Sequence, residues 1–266
     1  MAIGNRDDLI AAIAAGQTVQ FYKAAVTSAA GFYTAHFRNA GMPGSAGAAP
    51  ASTGRELTRT TVGAIPIPAP SGLSYITSFE GASSAAGTLL LADRLVEFGG
   101  LVANVTTPQA VSALALPARA TGATDVELWL EVYTAGGATA SAVVTASYTN
   151  QDGTPGRTAT LVGGLPANGV PINRTYQLSL QAGDTGVESV QSLTLGTSTG
   201  TAGNIGLVLR RTLLTGPFVA VGVGFVQGWA ETDLQDVGDN ACLELLTLAT
   251  GTSTGNIIGN FGIAQG

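Results

Sequence analysis

The clearest pattern along the chain is a strict alternation at residues 126–133. Val126, Leu128, Leu130 and Val132 fall on one face of an extended strand, and Glu127, Trp129, Glu131 and Tyr133 on the other. This predicts a half-buried antiparallel strand whose second face is free to pair with something. Shorter apolar runs recur at 73–79, 88–91, 141–150, 157–162, 176–180, 190–195, 205–211, 218–225, 243–248 and 257–263. Turn chemistry separates them, as at Gly136-Gly137 and Asn150-Gln151-Asp152-Gly153. Many short strands with Gly-rich turns predict a mainly β fold, an antiparallel β-sandwich of jelly-roll type over residues 72–266.

The N-terminal 40 residues read differently. Residues 6–15 predict a short helix with Ile3, Leu9, Ile10 and Ile13 on one face, capped by Asn5 or Asp7 and ended by Gly16. Residues 19–26 are apolar enough for either a helix or a strand, and 31–38 alternate as a strand does. Residues 1–40 therefore read as a helical and arm segment. Residues 41–71 carry Pro43, Pro50, Pro66, Pro68 and Pro70 among small residues. They predict a linker or extended arm, with 65–70 biased towards polyproline II geometry. Such an arm suits a neighbouring subunit or a loop tethered to the same domain.

One echo stands out. Residues 193–206 and 246–259 share the string Gly-Thr-Ser-Thr-Gly or its close relative between apolar runs, followed by Asn-Ile. Two equivalent hairpins, or a coincidence of Thr/Gly-rich composition, both fit.

Composition changes the picture. Charged residues make up only 11% of the 266, where about 25% is usual. A compact monomer of this size exposes roughly 11,000 Å², so its skin is either coated by hydroxyls and small groups or covered by neighbouring protein. Covering by copies of itself or by a larger assembly is the preferred expectation. The basic residues are scattered apart from Arg210-Arg211 and form no stripe for phosphates, which argues against a nucleic-acid partner. The start of the chain lacks an apolar signal segment. Residues 212–230 are uncharged, but Pro217, Gln227 and four glycines favour buried strands over a membrane span. The single cysteine, Cys242, reads as a small buried hydrophobe.

Candidate chemistry is thin. Ser198 and Ser253 sit in formal G-x-S-x-G matches, but strand-like segments follow them, and the only histidine, His36, precedes both. Glu127 and Glu131 would lie about 13 Å apart along a strand, too far for a glycosidase pair. Glu231, Asp233, Asp236 and Asp239 are a conceivable cation loop without the EF-hand spacing, and a solvated loop is the simpler reading. Trp129 and Tyr133, with Trp229 as a further aromatic, could form a sugar platform, with Glu131 between the first two. No catalytic, cofactor-binding or metal site is predicted, and no cofactor.

Several strings resemble a family of tailed-bacteriophage virion structural proteins. They are Phe21-Tyr22-Lys23-Ala24, Leu90-Leu91-Ala92-Asp93-Arg94-Leu95 with Gly99-Gly100-Leu101, and Val126-Glu127-Leu128-Trp129-Leu130-Glu131. Ser147-Tyr148-Thr149-Asn150-Gln151-Asp152-Gly153, Leu180-Gln181-Ala182-Gly183-Asp184-Thr185-Gly186-Val187 and the tail from Asp239 to Gly266 complete the likeness, which spans nearly the whole chain. The resemblance implies a virion part assembled in the host cytoplasm. That part would be a head-decoration or cement protein contacting the major capsid protein or another virion protein, as a homo-oligomer, with a trimer favoured. The alternative it implies is a tail, neck or fibre component, for which a carbohydrate-binding β-sandwich would suit the aromatic platform.

Overall fold

A computed structural model describes residues 5–70, 72–167 and 170–266. Helix α1 (Arg6–Ala14) is followed by β1 (Gln17–Lys23), β2 (Tyr33–Ala35), β3 (Gly41–Met42), β4 (Arg55–Glu56), β5 (Ser74–Ser83) and β6 (Gly87–Glu97). Then come β7 (Gln109–Ala110), β8 (Glu127–Thr134), β9 (Val144–Asn150), β10 (Arg157–Thr160), β11 (Arg174–Gln177) and β12 (Val187–Leu195). The last strands are β13 (Asn204–Phe218), β14 (Phe225–Gln227), β15 (Leu243–Ala249) and β16 (Ile257–Gln265). The protein is mainly β, and its sheets are antiparallel.

The predicted helix forms. Asn5 Oδ1 accepts from the backbone N–H groups of Asp7 and Asp8, satisfying two donors the first turn leaves open. The predicted apolar face forms only in part, with Leu9 and Ile13 half-buried. Ala12 is the buried residue of the helix, Ile10 is exposed, and Ile3 lies outside the described residues.

The chain folds as two compact units built from interleaved segments. The first comprises Met1–Gly47, Thr58–Asp93 and Thr212–Gly266; the second comprises Ala48–Leu57 and Arg94–Arg211. These segments do not follow the expected division at residues 40 and 71. The early strands are not a separate arm, because β1 pairs along its whole length with β16, and β2 pairs with β15. Nor is 41–71 a free linker. Ile65 is buried and donates to Leu243 O at 2.9 Å in the first unit, while Leu57 is buried and donates to Leu95 O at 3.0 Å in the second. Prolines without N–H groups tolerate solvent between such anchor points.

In the first unit a five-stranded sheet runs in the order β14-β5-β16-β1-β3, and β15 pairs with β2 and β6. The inner row Phe225–Gly81–Gly259–Phe21 crosses the sheet. A Cβ on Gly259 would come within 2.5 Å of the Phe21 ring, so the glycine makes room for it. Phe79 meets Phe225 edge-on at 4.9 Å, and Phe21 lies 6.4 Å from Phe261. With Ile76, Leu89, Leu91, Leu245 and Ile257 these rings form the core.

In the second unit β10-β9-β12-β7 make a four-stranded sheet, β8 pairs with β11 and β13, and β4 pairs with the end of β6. Alternate residues of β9 (Val144, Ala146, Tyr148) are buried, whereas in β8 every residue from Leu128 to Tyr133 is. The expected strand at 218–225 is instead the end of the fifteen-residue β13, a turn, and the start of β14.

Candidate interaction surface

The polar face of β8 is not a surface. Trp129 is 1% exposed, and Glu131 and Tyr133 are buried with it. Glu131 accepts from Arg94 Nη1 at 2.7 Å and Nη2 at 3.0 Å, and from Arg210 Nη2 at 3.0 Å. Arg94 also reaches Glu97 at 2.7 Å, and Glu97 accepts from Arg55 Nε at 2.8 Å. The Arg210 guanidinium lies 5.0 Å from the centre of the Trp129 ring, and Trp129 Nε1–H donates to Glu127 Oε2. Tyr133 donates its hydroxyl proton to Phe98 O at 3.0 Å. Charges thus alternate in sign across β4, β6, β8 and β13, which lets a row of ionised side chains sit inside the unit. The expected aromatic platform of Trp129 and Tyr133 is withdrawn from solvent. Trp229 is 54% exposed and belongs to the loop at 228–232 of the first unit. The sequence carries a signal for this row: Arg210 sits within the strand-like run 205–211, Arg94 and Glu97 lie just beyond the run 88–91, and their charges match those on β8.

The nucleophile-like serines hold turns. Ser198 Oγ accepts from Gly200 N and Ser253 Oγ from Gly255 N, each at 3.1 Å. The following threonines, Thr199 and Thr254, are buried in both copies and accept from Gly137 N and Val26 N. The echo is therefore a repeated turn, but not a pair of hairpins. β12 and β13 lie in different sheets, as do β15 and β16.

His36 is buried. Asn39 Nδ2 donates to its Nδ1 at 3.0 Å, which leaves the proton on Nε2, 2.9 Å from Thr247 Oγ1. Burial, and then the charge of Lys23, lower its pKa to about 3. Lys23 is itself lowered to about 8 by burial, with Glu244 pulling the other way. Its ammonium donates to Pro43 O at 2.9 Å. Cys242 is buried and its N–H donates to Asp93 Oδ1. Glu231, Asp233, Asp236 and Asp239 are all exposed, and among the described residues no three His, Cys, Asp or Glu side chains are grouped to hold a metal ion. No helix among them is long and apolar enough to cross a membrane.

What remains on the outside of the first unit is an apolar sheet face. Register places Ala82, Ile258, Tyr22 and Met42 in one row across β5, β16, β1 and β3. The next row is Val226, Glu80, Asn260 and Gln20. Ile258, Met42 and Val226 are largely exposed. Beside Ala82, the turn at 219–223 is tied to the sheet by the Gly222 N–H, which donates to Ser83 O at 2.8 Å. Its valines, Val219, Val221 and Val223, also point into solvent. Between the rows lies an open groove of about 590 Å³, lined by the apolar Met42, Val226 and Ile258 and by the polar Gln20, Glu80 and Asn260, with glycines on its floor. Sequence alternation could not find this face, because its residues come from five separate strands and a turn.

No family model and no curated protein matches the chain. Among solved structures, the VP2 subviral particle of infectious bursal disease virus aligns over 94% of this chain and 81% of its own, at 9% identity and a TM-score of 0.20. The structure of the Gt strain of the same virus aligns over the same shares at 10% identity and a TM-score of 0.18. At that level of overlap, fold and function rest on the residues themselves.

Proposed function

We propose that this chain is a non-enzymatic virion structural protein that self-associates, a capsid decoration or cement protein that stabilises a head shell. In this reading the antiparallel strands of residues 72–266 form a sandwich of jelly-roll type. The observation that carries the proposal is the state of the surface. Of 28 charged residues, eight are buried: Lys23, Asp93, Arg94, Glu97, Glu131, Arg174, Arg210 and Glu244. The other 20 serve 10605 Å², one charge per roughly 530 Å², far below the density that keeps free domains apart. A skin so poorly charged suits a place among other protein subunits. The resemblance to tailed-phage virion proteins points the same way. The alternative, a tail, neck or fibre module holding sugar on Trp129, Tyr133 or Trp229, loses the first two platforms to burial and keeps the exposed Trp229. Light scattering coupled to size exclusion, followed by co-sedimentation with purified heads, tests the proposal. A monomer that stays in the supernatant would overturn it.

A further inference from the structure

We infer that the apolar end of the five-stranded sheet is the contact between copies of this chain. The inference rests on the self-association proposed above and assigns it a surface. The row Ala82–Ile258–Tyr22–Met42, together with Val226 and the valine turn at 219–223, spans four interstrand steps, about 19 Å. The exposed fractions of its large residues, from 38% at Tyr22 to 76% at Val226, leave on the order of 700 Å² open to water, close to the roughly 800 Å² that each partner gives to a standard interface.

The chemistry of the face selects the occupant. The row and the turn contain no Asp, Glu, Lys or Arg. Glu80, in the neighbouring row, is the nearest carboxylate by register, and Asn260 Nδ2 donates to it at 3.4 Å. A charged partner finds only the half-buried Glu80, at the groove's edge, to pair with on this face. Two copies brought face to face bring one carboxylate each, Glu80, outside the apolar row and turn, and remove aliphatic groups from water on both sides. The turn adds a protruding knob. Val221 and Gly222 occupy its tip, Gly222 has φ +72°, and Val223 N–H closes it onto Ala220 O at 3.1 Å. Turn tips are ordinarily polar; a valine there is shaped to enter a neighbour's groove, and the glycine-floored groove of the same sheet is available to receive it.

The test compares three variants by sedimentation equilibrium, with circular dichroism as the check on folding. Ile258→Glu places a charge in the row. Val221→Glu places one on the turn tip, where no strand pairing depends on it. Val162→Glu is the control, an exposed aliphatic of the second unit. Both stripe variants are expected to weaken self-association by at least about tenfold, with the control unchanged. If the wild type assembles and the stripe variants assemble as tightly, or all three variants weaken alike, the assigned surface is wrong while self-association stands. A wild type that stays monomeric overturns both. A monomer that still binds heads, and loses binding only in the stripe variants, overturns a second copy as the occupant.

Discussion

Arg94 and Glu131 form a buried two-pronged ion pair, Nη1 to Oε2 at 2.7 Å and Nη2 to Oε1 at 3.0 Å, joining β6 to β8. Each partner is shared: Glu97 holds Arg94 from the other side and Arg210 holds Glu131. Neutralising Glu131 leaves two guanidiniums facing each other out of water. Glu131→Gln is therefore expected to lower the unfolding free energy by about 3–5 kcal/mol. Arg55 pairs with the same row, but its side chain is 43% exposed, so Arg55→Ala should cost no more than about 1 kcal/mol. Urea denaturation of the two variants measures the contrast. Equal losses would mean that water reaches the row.

His36 makes stability depend on acid. Its folded pKa of about 3 lies below the ordinary 6.5, so between these values the unfolded chain binds the extra proton and the folded chain does not. Stability contributed by the neutral ring is complete above pH 6.5 and is lost as pH falls towards 3, on the order of 5 kcal/mol in all. Lys23 faces the ring and disfavours its protonation; Glu244 acts on Lys23. A series of urea midpoints from pH 7 to pH 4 should fall steeply in the wild type. In His36→Gln, which can still hydrogen-bond Thr247, the slope should flatten, whatever the variant's absolute stability.

The strands were largely legible because their periodicity is local. β8, β9, β12, β15 and β16 fall within two or three residues of the runs that predicted them, and Asn5 capped its helix as expected. What failed depends on distant partners. Alternation marks two faces of a strand without saying what covers the second, and in β8 an arginine row covers it. A Pro-rich stretch reads as a linker until single residues such as Ile65 and Leu57 prove to be anchors. Two interleaved units are invisible to a left-to-right reading, because β1 finds its partner more than 230 residues away. The exposed stripe escaped for the same reason.

The two tryptophans give an optical check on the burial that removed the sugar platform. Trp129 is enclosed under Arg210, and Trp229 is half in solvent. Acrylamide should quench only part of the native fluorescence. Trp229→Phe should abolish most of the quenchable fraction, and Trp129→Phe should leave it intact. A readily quenched Trp229→Phe protein would show that the β8 face opens to solvent, and would restore Trp129 as a surface residue.

The repeated turn makes a quantitative forecast, because its two copies differ only in their surroundings. Gly200 and Gly255 both have positive φ, +93° and +68°, and each donates its N–H to a serine two residues earlier. Alanine at either position meets the backbone penalty of that conformation, about 1–2 kcal/mol. At Gly200 the added methyl meets only Thr139 Oγ1, at an ordinary 3.5 Å. At Gly255 it would strike Ser83 Oγ and come within 2.5 Å of Ala85 N, a backbone atom fixed beside β5. Gly255→Ala should therefore destabilise by at least about 1 kcal/mol more than Gly200→Ala, a gap set by overpacking. Ser198→Ala and Ser253→Ala each remove one turn hydrogen bond and should cost about 1 kcal/mol or less. Thermal melts of the four variants decide it. A Gly200→Ala loss equal to that of Gly255→Ala would mean that the tight pocket around the second turn relaxes freely, and that the turn's own conformation is the whole constraint.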